Sequence, residues 1–417
     1  MNAKHTRKNL LPIYLKGLVE GKYSLRQVSE STGYTVRHIS TLKKKYLTMG
    51  IKCLEDGRKN HPAYNRIPET TRQAILALYV GKYSGSNFQY FHDCLEEIEG
   101  IKVSNDFLYK FLKENGIVSP LSKKAKKKDK VNHRPRLRRQ NEGDMIQIDG
   151  TPYPWFWKFG ENKNYCLVGS IDDATGKITG LYMTENECIY GYIEMLRQTI
   201  EKYGRPREIY SDRAAIFCVS PKDKKNLTIW EQLEGVHEKR TQWQRMLDEL
   251  QINQILAWSP EAKGRVERMW GTIQNQLPIW LYINKIDTLE KANKELHKYI
   301  NQFNRKYAKP AALEYKFWIP KPDNLDHILQ VRFPRKTDKV GSFTFHGEDF
   351  FVKAPNYKNV SFELCISERG IYAYMNDRYY DVYLHNDLQE CVSDSMSITT
   401  KNIVYKYLYR NAKEFSV

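Results

Sequence analysis

Between residues 10 and 48 apolar positions recur at helical spacing: Leu11, Leu15 and Leu18, then Leu25 and Val28, then Val36, Ile39 and Leu42. Gly21 and Gly33 break the run, so the pattern predicts three short helices. Residues 24–40 have the form of a helix-turn-helix, with Gly33 at the turn and the last helix starting near Thr35. Arg37, His38, Thr41 and Lys44 then share one polar face, which either meets DNA or is an ordinary solvated basic face. A second helical group is expected over about 67–117. It opens at Ile67-Pro68-Glu69, where proline suits a first turn, and closes on Phe107, Leu108, Phe111 and Leu112 before Gly116.

From residue 144 the pattern switches to alternating strands and helices. Residues 145–149, 165–171 and 178–183 are short β-rich runs, the last two joined by the turn Asp172-Asp-Ala-Thr-Gly-Lys177, which predicts a three-stranded meander. A helix over about 187–203, a strand at 208–211, a long polar segment, a helix near 241–250, a strand at 254–258 and helices from about 261 and 288 complete the region. The order βββαβαβα places helices over a mixed sheet, as in RNase H-like folds. Beyond Pro310, Pro320 and Pro322, strand-like runs at 341–352, 360–366 and 370–375 predict a small β-barrel. From Ser397 onward Lys401, Lys406, Arg410 and Lys413 stand among tyrosines, as a terminal helix or a basic tail.

Composition sharpens this picture in three ways. At 417 residues the chain is too long for one core. The expected fold class is multidomain α+β: a helix-turn-helix domain (1–62), a second helical DNA-binding module (63–118), a basic linker (119–141), an RNase H-like α/β core (142–310) and a C-terminal β-barrel with a tail (311–417). Lys and Arg number 67 against 49 Asp and Glu, a formal charge of +18 that points to a polyanionic partner, above all nucleic acid. Much of the excess sits in the linker. There Lys123, Lys124, Lys126, Lys127, Lys128, Lys130, Arg134, Arg136, Arg138 and Arg139 face one acid, Asp129, so the segment tracks phosphates or is a solvated spacer. No segment approaches the roughly 18 unbroken apolar residues of a membrane span and no signal-peptide core opens the chain, so a soluble, cytoplasmic protein is expected. The seven cysteines are scattered, without the close pairs of a structural zinc site, and are read as reduced thiols.

The central region carries the candidate chemistry. Asp149 ends the first strand, Asp212 follows the fourth, and Glu267 lies in the helix that begins Ser259-Pro-Glu-Ala-Lys-Gly-Arg-Val-Glu-Arg268. They stand 63 and 55 residues apart and work together only if the fold gathers them. Three carboxylates without His or Cys suit hard divalent cations, and a pair of such cations about 4 Å apart serves in-line displacement at phosphorus. The segments Ile146-Gln-Ile-Asp149-Gly150, Tyr210-Ser-Asp212-Arg213 and the Ser259–Arg268 run resemble the three signatures of integrase-core DDE transposases of bacterial insertion sequences, relatives of retroviral integrases. The likeness covers roughly residues 10–310.

This resemblance implies that Asp149, Asp212 and Glu267 are catalytic and bind two Mg²⁺ or Mn²⁺ ions. It also implies hydrolytic nicking at element ends, attack of the freed 3′-hydroxyl on target DNA, binding of terminal inverted repeats, and a homodimer or higher homo-oligomer on DNA. One departure is a long insert at about 218–240. A non-transposing nuclease of the same fold and a catalytically inactive DNA-binding regulator are the other readings.

Neighbouring residues carry rival assignments. Asp172 and Asp173 suit a hairpin turn for backbone reasons, Glu261 suits a helix dipole, and Asp144, at the start of the strand, is expected to be solvated. Lys263, four residues before Glu267, grips a phosphate or pairs with that acid. Arg265 and Arg268 meet DNA or solvent. The cluster Tyr153-Pro-Trp155-Phe-Trp157 stacks on a base or packs internally.

Overall fold

The computed structural model describes residues 3–54, 67–120, 137–220, 239–257, 264–354, 358–384 and 397–410. They form two compact units, Met1–Ala77 and Leu78–Val417.

In the first unit the apolar periodicity becomes α1 (Ala3–Val19), α2 (Leu25–Thr32) and α3 (Val36–Met49). Leu11, Leu15, Leu18, Val28, Ile39 and Leu42 form their common core. The ends are set by local chemistry. Ser24 and Gln27 cap α2 reciprocally, Gly33 leaves it in the left-handed region at φ 71°, and the Thr35 side chain accepts from the His38 amide to start α3. A further helix, α4 (Glu69–Gly81), follows.

The second unit opens with α5 (Phe88–Glu97) and α6 (Asn105–Glu114). Its first sheet contains β1 (Met145–Tyr153), β2 (Tyr165–Asp172), β3 (Ile178–Thr184), β4 (Glu208–Ser211) and β5 (Asn253–Leu256), in the order β3-β2-β1-β4-β5. The first three strands form the expected antiparallel meander; β4 runs parallel to β1 and β5 parallel to β4. Its helices are α7 (Ile189–Lys202), α8 (Gln242–Glu249), α9 (Gly264–Ile283) and α10 (Leu289–Tyr307). The strand pleat divides β1 between two layers. Ile146 and Ile148 pack in one core with Tyr192, Leu196, Trp243 and Leu247 of α7 and α8. The other face of the sheet supplies Leu167, Leu181 and Met183 to a core shared with Val266, Trp270, Leu296 and Ile300 of α9 and α10. Gln147 and Asp149 alternate with the isoleucines and therefore face α9.

The strand-like runs near the C-terminus belong to a six-stranded antiparallel sheet, β6-β9-β10-β11-β8-β7. Its strands are β6 (Val331–Lys336), β7 (Ser342–Phe345), β8 (Glu348–Val352), β9 (Ser361–Ser367), β10 (Gly370–Met375) and β11 (Arg378–Leu384). The run expected as one element at 341–352 is a hairpin, turned by His346 and Gly347 at φ 56° and 79°. The outer strands β6 and β7 meet through side chains: the Phe333 and Phe345 rings lie 5.5 Å apart, and Tyr407 packs on both at 4.8 and 5.6 Å. Among the described residues the seam carries no β6–β7 backbone pairing, so the sheet curls without hydrogen-bonded closure. The segment after Ser397 is helical, α12 (Ile398–Val404), and the short α11 (Leu325–Ile328) precedes β6.

Candidate active site

Strands β1 and β4, which carry and precede the first two candidate acids, pair in parallel. Met145 pairs with Glu208 and Gln147 with Tyr210, a constant offset of 63 (208 − 145). Asp212 stands 63 residues after Asp149, the same offset, one residue past the end of β4 and two past the last paired position. The Asp212 carboxylate accepts from the Ala214 amide at 2.9 Å, which turns the chain away from the sheet.

Helix α9 crosses the same strand. The Trp270 Nε1–H donates to Asp149 Oδ2 at 3.1 Å, Gln274 Nε2 donates to Thr151 Oγ1 at 3.0 Å, and the Val266 amide donates to Gln147 Oε1 at 3.4 Å. Four helical residues rise about 6 Å and two strand residues advance about 6.6 Å, so helix and strand keep step. Gly169, the cross-strand partner of Asp149, makes room for the indole: a Cβ there would lie 2.7 Å from Trp270 Cη2. Glu267 is exposed in the first turn of α9, three residues before Trp270 and on the same side of the helix. Among the described residues no group of three or more His, Cys, Asp or Glu side chains is close enough to hold a metal ion, so the three carboxylates are not drawn into one cage.

The rival acids have structural partners. Asp172 is fully buried and accepts from the Gly143 amide, the Thr175 amide and the Thr175 hydroxyl at 2.6–2.9 Å. Burial pushes its carboxyl above the usual range against those donors. Asp173, also fully buried, accepts from the Arg139 amide, the Gln147 side chain and Arg265. Asp144 corrects the expectation of a solvated acid: it is buried and lies within ion-pair distance of Arg139 and Arg207. Trp155 and Phe156 are buried, and Trp155 Nε1 donates to the Tyr165 carbonyl, so this part of the aromatic cluster packs internally.

Two of the residues expected to contact DNA are paired with acids of the core. The Arg265 guanidinium is nearly buried against Asp173, and Arg139 pairs with Glu208; each is held by a carboxylate of the core. Arg138 is exposed and donates to the Ala174 carbonyl, and Arg268 is exposed. In the first unit Arg37, His38, Thr41 and Lys44 are all exposed on α3. Lys123, Lys124, Lys126, Lys127, Lys128, Lys130, Arg134, Arg136, Glu261 and Lys263 lie outside the described residues, as does most of the 218–240 insert. Gln147, Gly169 and Trp270 escaped the sequence reading; the signal was the period-two spacing from Gln147 to Asp149 and the three-residue spacing from Glu267 to Trp270. Among the described residues no helix is long and apolar enough to cross a membrane.

A mixed five-stranded sheet with Asp149 midway along β1 and Asp212 just past the end of the adjacent parallel strand β4, crossed by a helix bearing a third acid, has the layout expected of an RNase H-like core. The chain resembles transposases of bacterial insertion sequences. It is 29% identical over 342 residues to a putative transposase, y4bF, of Sinorhizobium fredii, covering 81% of this chain and 71% of that protein. It is 27% identical over 406 residues to the transposase for insertion sequence IS1202 of Streptococcus pneumoniae, covering 90% and 84%. No family model matches. Among solved structures, the HTLV-2 integrase catalytic core domain in complex with magnesium is 20% identical, covers 42% of this chain and 94% of that one, and superposes with a TM-score of 0.30. A chain of a simian T-cell lymphotropic virus intasome is 14% identical, covers 73% and 95%, and gives 0.33.

Proposed function

We propose that this chain is a DDE transposase, a polynucleotidyl transferase that nicks the ends of an insertion sequence by hydrolysis and joins the freed 3′-hydroxyl ends to target DNA. The observation that carries the reading is the shared offset of 63 between the β1–β4 register and the Asp149–Asp212 separation, with α9 bonded to Asp149 and bearing Glu267. Similarity to a putative transposase and to an insertion-sequence transposase over most of the chain supports it.

The donor set fits hard divalent cations: the three candidate side chains are carboxylates, and the nearby cross-bonds come from Trp and Gln. Asp149, Asp212 and Glu267 would hold two Mg²⁺ or Mn²⁺ ions, which supply activation of the attacking oxygen and neutralisation of the leaving one. Trp270 fixes the Asp149 carboxylate through one oxygen. The α2–α3 pair acts as a helix-turn-helix that reads the terminal inverted repeats through Arg37, His38, Thr41 and Lys44. The basic segment 119–141 follows the phosphate backbone, and two or more copies assemble on DNA.

The test is Mg²⁺- or Mn²⁺-dependent cleavage and joining on the element's own end DNA, wild type against Glu267→Gln. Joining that needs metal and is abolished by the substitution is expected. Cleavage without joining would favour a nuclease, and undiminished joining by Glu267→Gln would remove that residue from the site.

A further inference from the structure

We propose that Gln147 and Asp173 are positioning residues for Glu267, acting through the first turn of α9; the inference rests on the reading of Glu267 as the third carboxylate. Both side chains are fully buried. Gln147 projects from β1 on the same face as Asp149. Its Nε2 donates to Asp173 Oδ1 at 2.7 Å, and its Oε1 accepts from the Val266 amide at 3.4 Å. Asp173 is anchored in turn: its amide donates to the Met145 carbonyl at 2.9 Å, and its Oδ2 accepts from the Arg139 amide at 2.8 Å. The same carboxylate holds the Arg265 guanidinium, which is nearly buried.

The two residues immediately before Glu267 are therefore tied, one by backbone and one by side chain, to the strand that carries Asp149 and to the hairpin beside it. A helix start is the part of a helix with the fewest internal hydrogen bonds. Fixing it from a buried polar network sets where the exposed Glu267 emerges relative to Asp149. An apolar residue at 147 would fill the same space and leave both the Val266 amide and Asp173 short of a partner, so packing alone does not call for glutamine here.

Gln274 supplies an internal control, since it ties the same helix to the same strand two turns further on, beyond Glu267. The experiment compares full-length wild type, Gln147→Leu, Gln274→Leu, Arg265→Lys and Glu267→Gln. The readouts are joining rate at saturating end DNA, DNA affinity, the Mg²⁺ concentration for half-maximal rate, and amide exchange of residues 264–270 without metal. For Gln147→Leu the expected result is a rate about 10- to 100-fold lower, as when a group supporting a metal ligand is removed. Its Mg²⁺ requirement should rise, its DNA affinity should be unchanged, and exchange at 264–270 should be faster. Gln274→Leu should keep a near wild-type rate. Arg265→Lys, which keeps the charge beside Asp173 but not the planar fork, should lose rate to a lesser degree and raise the Mg²⁺ requirement, and it serves if Gln147→Leu does not fold. Equal rates for Gln147→Leu and Gln274→Leu, or a wild-type Mg²⁺ requirement in both Gln147→Leu and Arg265→Lys, would overturn the inference. If Glu267→Gln is inactive while those two variants behave as wild type, the positioning role alone fails. If Glu267→Gln is fully active, the site itself is misassigned.

Discussion

The two sheets of the second unit protect their outer strands by opposite means. In the five-stranded sheet the outer strand β3 is closed by polar side chains. Asn304 of α10 both accepts from the Ile178 amide and donates to its carbonyl, Asn293 does the same for Met183, and Gln198 of α7 accepts from the Leu181 amide. In the C-terminal sheet the outer strands β6 and β7 are brought together by the rings of Phe333, Phe345 and Tyr407. Directional bonds fix a strand's position along its own axis, whereas ring contacts tolerate sliding. The sheet that carries Asp149 is the one with a directional edge at β3, which also blunts that edge as a template for strand addition.

The largest expected effect is on the aromatic seam. Phe345→Ala removes a buried ring and should cost about 3–5 kcal/mol, read as a fall in the denaturation midpoint, while the metal requirement of the surviving enzyme stays as in wild type. A shifted metal requirement would mean that the two sheets are not separable in this way.

Gly169→Ala attacks the other sheet at its centre. The new Cβ would meet Trp270 Cη2 at 2.7 Å and Leu181 Cδ2 at 2.8 Å. Overpacking of this kind costs about 1–3 kcal/mol. The displaced indole should also release Asp149, so joining should fall further than Phe345→Ala lowers it at matched fraction folded.

Asn304→Ala deprives both backbone groups of Ile178 of their partner. Because the site is half-buried and water can replace part of the loss, about 1–2 kcal/mol is expected, at the lower part of the range for orphaned groups. A neutral result in chemical denaturation would show that the polar edge contributes little to holding β3.

The smallest effect concerns pH. His327 Nε2 lies between the Arg332 guanidinium and Glu363 Oε2, the latter at 3.0 Å, and its ring meets Tyr374 at 3.8 Å; burial, and then the Arg332 charge, hold its pKa below the ordinary 6.5 against the opposing pull of Glu363. The folded state thus prefers the neutral ring. The stability it contributes is present above pH 6.5 and is lost as pH falls from there through the depressed folded value. His327→Gln should flatten that part of the stability profile, and an unchanged slope would place the titration elsewhere.

Elements with strong apolar periodicity were legible before the structure. The strands β1–β5, helices α7–α10 and the α2–α3 pair fall within a few residues of their expected places, because their patterns match the faces they bury. The strands β6 and β11 were not legible. Pro334 interrupts the first, as an outer strand permits. The second, Arg-Tyr-Tyr-Asp-Val-Tyr-Leu, is largely exposed and lacks an apolar run. Asp144 was misread because sequence shows a charge but not the opposite charges that the fold sets beside it.

By itself, then, the sequence determined the order of elements, the basic character of the chain and three candidate acids, one on a strand, one just after a strand and one in a helix. Those depend on local periodicity and residue type, which the chain carries without folding. Tertiary structure alone decided that β1 and β4 pair at an offset of 63, that Trp270 reaches Asp149 over Gly169, and that Gln147 and Asp173 reach the turn before Glu267. Such relations join residues tens of positions apart, and only hydrogen-bonded pairing and packing at close range can fix them.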